Sequence, residues 1–321
     1  MPSSGRATGD GLRVGVVGVG ALGQHHARVY AELPGARLVG VHDIDRARAE
    51  AVAARHGCRA FADAEALARE VDAVSVAVPT EAHHAIAAAL LDAGRHVLVE
   101  KPITATLEEA DDLIGRAAAR GVRLQVGHVE RFNPALDILR GAVASPRFVE
   151  AHRLSAFSPR SLDVDVVLDL MIHDLDIVLW LDGSDPVQVD AVGVPVLTSR
   201  VDIANARLRF ASGLIANLTA SRVSADRVRK FRVFAPRTYV SVDLAAREAR
   251  IYRIVDREGA PGQPEIAVEQ TPGNPEEPLR RQLSAFLESI QRGSPPRVSG
   301  EDGRRALALA RTILDRMRDY N

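Results

Sequence analysis

The sequence predicts an α/β Rossmann domain with a doubly wound parallel sheet, followed by an α+β domain with a large, mainly antiparallel, open-faced sheet. Three observations predict this. Short β-branched runs alternate with amphipathic stretches through residues 12–127, a pattern of parallel strands joined by crossover helices. A glycine-rich turn, Gly18-Val19-Gly20-Ala21-Leu22-Gly23, separates the first run from the first amphipathic stretch. After His128 the rhythm changes to successive alternating strands with few helices between them. The chain has 321 residues, enough for two domains of about 150 residues each. The predicted divisions are a flexible N-terminus over 1–11, the Rossmann domain over 12–127 and the α+β domain over 128–321.

Residues 13–17, a run of valines around Gly15, form a strand buried on both faces. The glycine turn then opens a helix that Pro34-Gly35 closes. Residues 37–42 are the second strand. Asp45 caps the next helix and Gly57 stops it. Residues 72–78 are another strand, ended by Pro79. A helix from about residue 81 ends at Gly94, and residues 96–100 are the strand after it. Thr106 and Glu109 have capping-box spacing for a helix that ends at Gly121. Residues 122–127 complete the first domain. Beyond it, 147–156 reads as a strand and 164–181 as a helix. Residues 204–210 alternate inward and outward, Ser212-Gly213 turns the chain, and 214–222 returns as a hairpin partner. Residues 231–235, 238–244 and 249–254 continue the sheet. Residues 258–278, rich in Pro, Gly and Glu, are expected to form a mobile loop. Helices over about 279–292 and 301–320 close the chain.

Composition narrows the function. The chain is 46% hydrophobic and 26% charged, with a formal net charge of −1. That balance gives no bulk attraction to nucleic acid or to an anionic membrane. Cys58 is the only cysteine, so no internal disulfide forms, which fits a reducing cytoplasm. Residues 1–10 lack the apolar core of a signal peptide, and no apolar run reaches the roughly 18 residues of a membrane helix. The expected setting is cytoplasmic, with a small molecule as partner.

The glycine turn follows a strand, opens a helix and has an acid about twenty residues on, the full context of a dinucleotide site. Gly18 permits the tight turn, Gly20 lets the backbone approach a pyrophosphate, and Gly23 lets helix and strand pack closely. Ala21 and Leu22 stand at the helix N-terminus, whose free N–H groups and positive dipole end favour phosphate. Asp43, at the end of the second strand, is placed to accept from the adenosine ribose hydroxyls and to repel a 2′-phosphate. NAD is therefore expected over NADP, although Arg46 and Arg48 stand nearby. The plain alternative is that Asp43 is a turn residue.

Glu100-Lys101-Pro102 follows the strand at 96–100. In a doubly wound sheet, ligands lie beyond the carboxyl ends of the strands, so Lys101 is aimed at the cofactor. A lysine there can bind a substrate hydroxyl or steady a developing alkoxide. Together with the glycine turn, Pro79-Thr80 and His83, and the later Asp169-Leu170-Met171-Ile172-His173, it gives an ordered set that resembles the Gfo/Idh/MocA oxidoreductases along nearly the whole chain. The resemblance implies a two-domain dehydrogenase, with Lys101, Asp169 and His173 as its polar catalytic group. It also implies that Pro79, Thr80, His83, Glu100 and Lys101 line the cofactor site. The residues themselves agree in part. Asp169 and His173 are spaced i, i+4 and share a helix face. Histidine titrates near neutrality, which suits taking a proton from a carbinol as hydride leaves. Which of Lys101 and His173 is the base stays open. Asp174 and Asp176 make this helix acid-rich, so a surface pair is the plain alternative. His25-His26 and His83-His84 are adjacent pairs that point apart on a helix, so no metal site is expected.

Within the family, residues 127–134 and 163–169 are most similar to the UDP-N-acetylglucosamine 3-dehydrogenases. That likeness implies oxidation of the sugar C3 hydroxyl to a ketone, which an aminotransferase then aminates on the way to lipid A. Arg131, Arg153 and Arg160 are candidates for an anionic or hydroxyl-rich substrate, with Asp169, His173 and Lys101 at the reacting carbon. For Arg131 a purely structural role is the competing reading. Two further functions remain open: a dehydrogenase of a free polyol or monosaccharide such as inositol or glucose, and a non-catalytic NAD-binding regulator. The alternating strands from Ala204 onward can expose an apolar face, so a homodimer or homotetramer is expected.

Overall fold

The computed structural model describes residues 11–157, 164–256, 264–271 and 274–318. The first part of the chain runs β1 (Leu12–Val17), α1 (Gly23–Glu32), β2 (Ala36–His42), α2 (Arg46–His56), β3 (Arg59–Ala60), α3 (Ala64–Glu70), β4 (Ala73–Val76), α4 (His83–Asp92), β5 (His96–Glu100), α5 (Leu107–Arg120) and β6 (Leu124–Gly127). Local chemistry sets the helix ends. The Asp45 side chain accepts from the Arg48 N–H at the start of α2, and Gly57 ends it at φ 64°. Thr106 and Glu109 close a reciprocal capping box on α5.

The strands form one parallel sheet in the order β3-β2-β1-β4-β5-β6. Strand order reverses between β1 and β4. Their carboxyl ends therefore open the crevice where doubly wound sheets bind ligands. The Gly18 turn leaves β1 there, and the Pro79 turn leaves β4.

A second sequence of elements begins with α6 (Pro134–Asp137), α7 (Leu139–Ala142), β7 (Phe148–Leu154) and α8 (Ile172–Asp182). It continues with β8 (Pro186–Val194), β9 (Ile203–Phe210), β10 (Ile215–Ser221), β11 (Val228–Ala235), β12 (Thr238–Asp243), β13 (Glu248–Asp256) and β14 (Pro264–Thr271). These eight strands pair in the order β14-β13-β12-β11-β7-β10-β9-β8. Only β7 and β10 pair in parallel. Alternate residues such as Ala206, Leu208, Leu218, Phe231 and Val233 point into a core with Ile172, Leu175 and Val178 of α8. α9 (Pro278–Arg292) and α10 (Gly300–Arg318) follow.

The chain divides into two compact units, Met1–His128 with Leu279–Arg304 and Val129–Pro278 with Arg305–Asn321. The sequence reading assigned 279–304 to the second domain. In the structure Leu283, Phe286 and Leu287 of α9 are buried with Val14, Val16 and Val29 of the first unit. Helical periodicity shows that α9 has an apolar face but not which sheet that face covers.

Two other expectations are corrected. The 258–278 loop contains β14, an edge strand paired to β13 from Asp256↔Pro264 to Ala249↔Thr271. Its Ile266 and Val268 alternate as strand residues do, and Pro264 stands at the first position, where a missing N–H is tolerated. The Pro, Gly and Glu content around it concealed the alternation. The helix expected over 164–181 is not uniform either, because Val167–Met171 is a π-helical turn leading into α8. Apart from Gly11, the predicted flexible N-terminus lies outside the described residues. Among the described residues no helix is long and apolar enough to cross a membrane.

Candidate active site

In the first unit the glycine turn has a distinct demand at each glycine. Gly18 has φ 81°, and a Cβ there would stand 2.6 Å from the Ala77 carbonyl oxygen. A Cβ on Gly23 would strike the Gly18 carbonyl. Gly20 differs, since a Cβ would meet nothing nearer than Arg48 Nη1 at 3.8 Å. The protein itself leaves room for a side chain at Gly20. The space in front of it suits a ligand that must approach the backbone. α1 has no side-chain N-cap, so no protein side chain covers its positive dipole end, although the Gln24 and His25 N–H groups already donate to the Gly20 and Leu22 carbonyls. Ala21 and Leu22 are exposed there.

Asp43 closes this region from the end of β2 and is only 7% exposed. It accepts from the Val19 N–H at 2.8 Å and the Asp45 N–H at 2.9 Å. Arg48 Nη1 lies 3.3 Å from both carboxylate oxygens, and its Nη2 donates to Asp45 at 3.1 Å. A cleft of 510 Å³ beside the turn is lined by Val19, Gly20, Ala21, Gln24, Arg48, Ala51, Val52 and Arg55. A carboxylate at the β2 end, a glycine with open space before it and a helix start without a side-chain cap fit a dinucleotide.

The β5 end carries Lys101, half-buried, with a cis peptide to Pro102. Pro79 is exposed and Thr80 half-buried at the end of β4. His83 and Glu100 are buried, at 1% and 8% exposure, and bind protein groups. His83 Nδ1 lies 2.9 Å from the Pro102 carbonyl and Nε2 lies 2.9 Å from the Val78 carbonyl. A neutral ring donates to one of them at a time. Burial pushes the His83 pKa below the ordinary histidine value, against the opposing pull of the two carbonyls and Glu100. Glu100 Oε1 is 3.2 Å from His26 Nε2, and Oε2 accepts from the Lys101 N–H at 3.4 Å. His84 pairs instead with Asp112 at 2.7 Å. Neither adjacent histidine pair converges on one point, and among the described residues no group of three His, Cys, Asp or Glu is arranged to hold a metal ion.

In the second unit Asp169 lies within the π-helical turn, and His173 stands two residues after its end. The Ile172 N–H reaches back to the Val167 carbonyl, the wide hydrogen bond that defines such a turn. Both side chains are half-buried. Single π turns inside helices concentrate at functional positions.

Three comparisons bear on this geometry. Residues 12–128 match the family model described as an oxidoreductase family with an NAD-binding Rossmann fold, and residues 138–240 match its GFO/IDH/MocA C-terminal domain. The chain belongs to the Gfo/Idh/MocA oxidoreductase family. It is 45% identical over 303 residues to a UDP-N-acetylglucosamine 3-dehydrogenase of Acidithiobacillus ferrooxidans, covering 93% of this chain and 95% of that one. A solved structure of that dehydrogenase matches with a TM-score of 0.91 at 43% identity, over 96% of this chain and 98% of the other. An inositol 2-dehydrogenase of Saccharopolyspora erythraea is 32% identical, over 96% and 94% of the two chains.

Within this family scaffold, two of the three arginines predicted to meet substrate have other work. Arg153 is 1% exposed. Its Nε and Nη2 donate to both oxygens of Asp174 at 2.8 Å, and Nη1 donates to Glu130 at 2.8 Å. The guanidinium has no face left for a diphosphate. Arg131, 5% exposed, donates to Asp176 at 3.0 Å and lies 5.0 Å over the Trp180 ring. Both arginines join the helix bearing His173 to neighbouring segments of the second unit. Arg160 lies outside the described residues. Asp174 and Asp176 are likewise buried ion-pair partners, so the acid-rich helix is not a solvated face.

Sequence reasoning singled out residues 127–134 but gave Glu130 and Asn133 within them no role of their own. Glu130 also lies 3.4 Å from Arg229 and accepts from Asn133. Asn133 further donates to the Leu244 carbonyl and caps α6 ahead of Pro134. The Asn133-Pro134 pair, a cap followed by proline at the first helical position, was the available signal. Burial pushes the Glu130 pKa up, but Arg153 and Arg229 outweigh it and hold the carboxyl below its ordinary value.

Two predictions follow from these geometries. Gly20→Val leaves stability within about 0.5 kcal/mol while weakening dinucleotide binding by about tenfold or more. Gly18→Ala instead destabilises by about 1–2 kcal/mol because of its positive φ. Thermal unfolding and fluorescence titration with NADH separate the two effects, and equal affinity in Gly20→Val would refute the reading. The second concerns acid. A depressed carboxyl pKa means the unfolded chain binds the proton at higher pH than the folded one. The contribution of Glu130 is present above the ordinary glutamate value near 4.5 and is lost as pH falls through the lower folded value. Urea unfolding from pH 6 to about 3 should show this decline for the wild type and a flatter one for Glu130→Gln.

Proposed function

We propose that this chain is an NAD-dependent dehydrogenase that oxidises the C3 hydroxyl of UDP-N-acetylglucosamine to the 3-keto sugar. The observation that carries the reading is the 45% identity, across nearly the full length of both chains, to a relative named for that activity. The Asp43 carboxylate at the end of β2 supports NAD over NADP, since a 2′-phosphate would meet a negative charge.

Bound nicotinamide supplies the hydride acceptor. The chain's own residues manage the substrate and its proton. His173 takes the hydroxyl proton, and Asp169 orients the imidazole or binds a neighbouring hydroxyl. Lys101 steadies negative charge as it develops on the oxygen. The inositol dehydrogenases among the relatives favour a second reading, oxidation of a free polyol.

Lys101→Ala should reduce turnover by about 10³-fold while dinucleotide affinity stays within about threefold. A general base produces a limb of falling rate at low pH, so loss of that limb in His173→Asn identifies His173 as the base. Its persistence there and disappearance in Lys101→Met assigns the base to Lys101. A panel of UDP-N-acetylglucosamine, inositol and glucose, followed by the absorbance of reduced nicotinamide, separates the substrates. Preference for a free sugar overturns the nucleotide-sugar reading.

A homodimer or homotetramer through the open face of the eight-stranded sheet completes the proposal. Phe148, Phe234, Tyr239 and Tyr252 form a row across that face, with successive ring centroids 5.6, 4.6 and 5.1 Å apart. Such a row is a surface a second copy can cover. Light scattering should report a multiple of the 34.5 kDa chain, and Phe234→Lys should reduce it to the single-chain mass. A monomeric wild type refutes the assembly.

A further inference from the structure

We propose that His83, together with the His26–Glu100 pair, is a positioning residue that fixes the backbone on both sides of Lys101. The inference rests on the catalytic reading of Lys101 and deepens it.

Val78 lies beyond the end of β4 and Pro102 beyond the end of β5. Their carbonyls have left the ladder of the parallel sheet and still need donors. The His83 ring reaches both, at 2.9 Å from each nitrogen. A neutral imidazole donates to one of these carbonyls at a time, and its rigid ring sits between the two loops whichever nitrogen carries the proton. His83 is the first residue of α4, following the Thr80–Ala82 turn, so it is anchored to a helix rather than to either loop.

A second strut holds the other side of Lys101. Glu100 binds His26 of α1 through one oxygen and the Lys101 N–H through the other. Its carboxylate fits only because residue 127 is glycine, for a Cβ there would stand 2.5 Å from Glu100 Oε1. The residue before Lys101 is thus tied to α1 and packed on β6. The residue after it is tied to α4 and the β4 turn.

Stability alone does not account for this arrangement. His26, His83 and Glu100 are all more than nine-tenths buried. Burying polar groups costs desolvation free energy that apolar side chains of similar size would avoid. What the polar groups supply is direction. They hold the backbone of the loop at one place, and misplacing a reacting group by about 1 Å costs on the order of 10²-fold in rate.

The test compares full-length wild type, His83→Phe and His83→Gln. Amide hydrogen exchange, read with and without NAD, should show residues 101–104 losing protection by about tenfold in His83→Phe, with the rest of the first sheet unchanged. Turnover should fall on the order of 10²-fold while NAD affinity stays within about threefold. Adding His83→Phe to Lys101→Ala should produce no loss beyond that of Lys101→Ala alone. His83→Gln, which keeps one amide donor, should recover part of the protection, and it carries the comparison if His83→Phe does not fold. Unchanged exchange at 101–104 overturns the proposal, as do additive losses in the double variant. If Lys101→Ala turns over at full rate, the catalytic reading of Lys101 fails separately, and the exchange result still decides whether His83 holds the loop.

Discussion

A parallel sheet must end, and where it ends its backbone groups lose their ladder partners. Every feature of the first unit's candidate site answers that requirement at a different strand. At the end of β1 Gly18 bends the chain so that α1 starts without a side-chain cap and points its positive dipole end at the turn. At the end of β2 Asp43 accepts from the Val19 and Asp45 N–H groups and so knits two turns together. At the ends of β4 and β5 the spare carbonyls face His83. The same constraint leaves an uncapped helix start where a phosphate can sit and brings a buried ring against the carbonyls of the β4 and β5 ends.

The second unit meets a different constraint, the burial of charge. Glu130, Arg153, Asp174 and Arg229 form a group of two acids and two arginines with balanced charge. Arg131 and Asp176 form a separate pair. Breaking one member strands its partner in a low-dielectric interior, at about 3–5 kcal/mol. Asp174 and Asp176 are therefore committed to their arginines, and that commitment sets the rotation of α8 about its axis. His173 is the neighbour of Asp174 along the chain, so its direction is inherited from the ion pair.

These two units differ in how much of them the sequence discloses. The Gly18–Gly23 turn, Asp43, the Asp45 cap and the Thr106–Glu109 box are local, with their causes lying within a few residues or at a fixed offset. The ion network is not local. Arg153 stands 23 residues from Glu130 and 21 from Asp174, and a lone arginine looks the same whether it meets a ligand or a buried acid. For Arg131 the structural reading that competed with substrate binding accords with its ion pair to Asp176, while for Arg153 no local signal pointed to Asp174 and Glu130. The π turn at Val167–Met171 has no composition that distinguishes it from the helix it leads into. β14 was concealed because edge strands are permitted the proline and charge that elsewhere signal a loop.

The polar burial in the two units has a common logic. Replacing a buried ion pair by well-packed apolar residues is often neutral or stabilising by about 1–4 kcal/mol, so such groups are weak evidence of a demand for stability. A packed apolar side chain can slide or change rotamer at small cost, whereas a hydrogen bond fails when its donor and acceptor move apart. Buried polar contacts therefore convert small displacements into large energies. They are found here under the Lys101 loop, along the helix that carries His173, and at Asp43, where they hold the glycine turn to the β2 end.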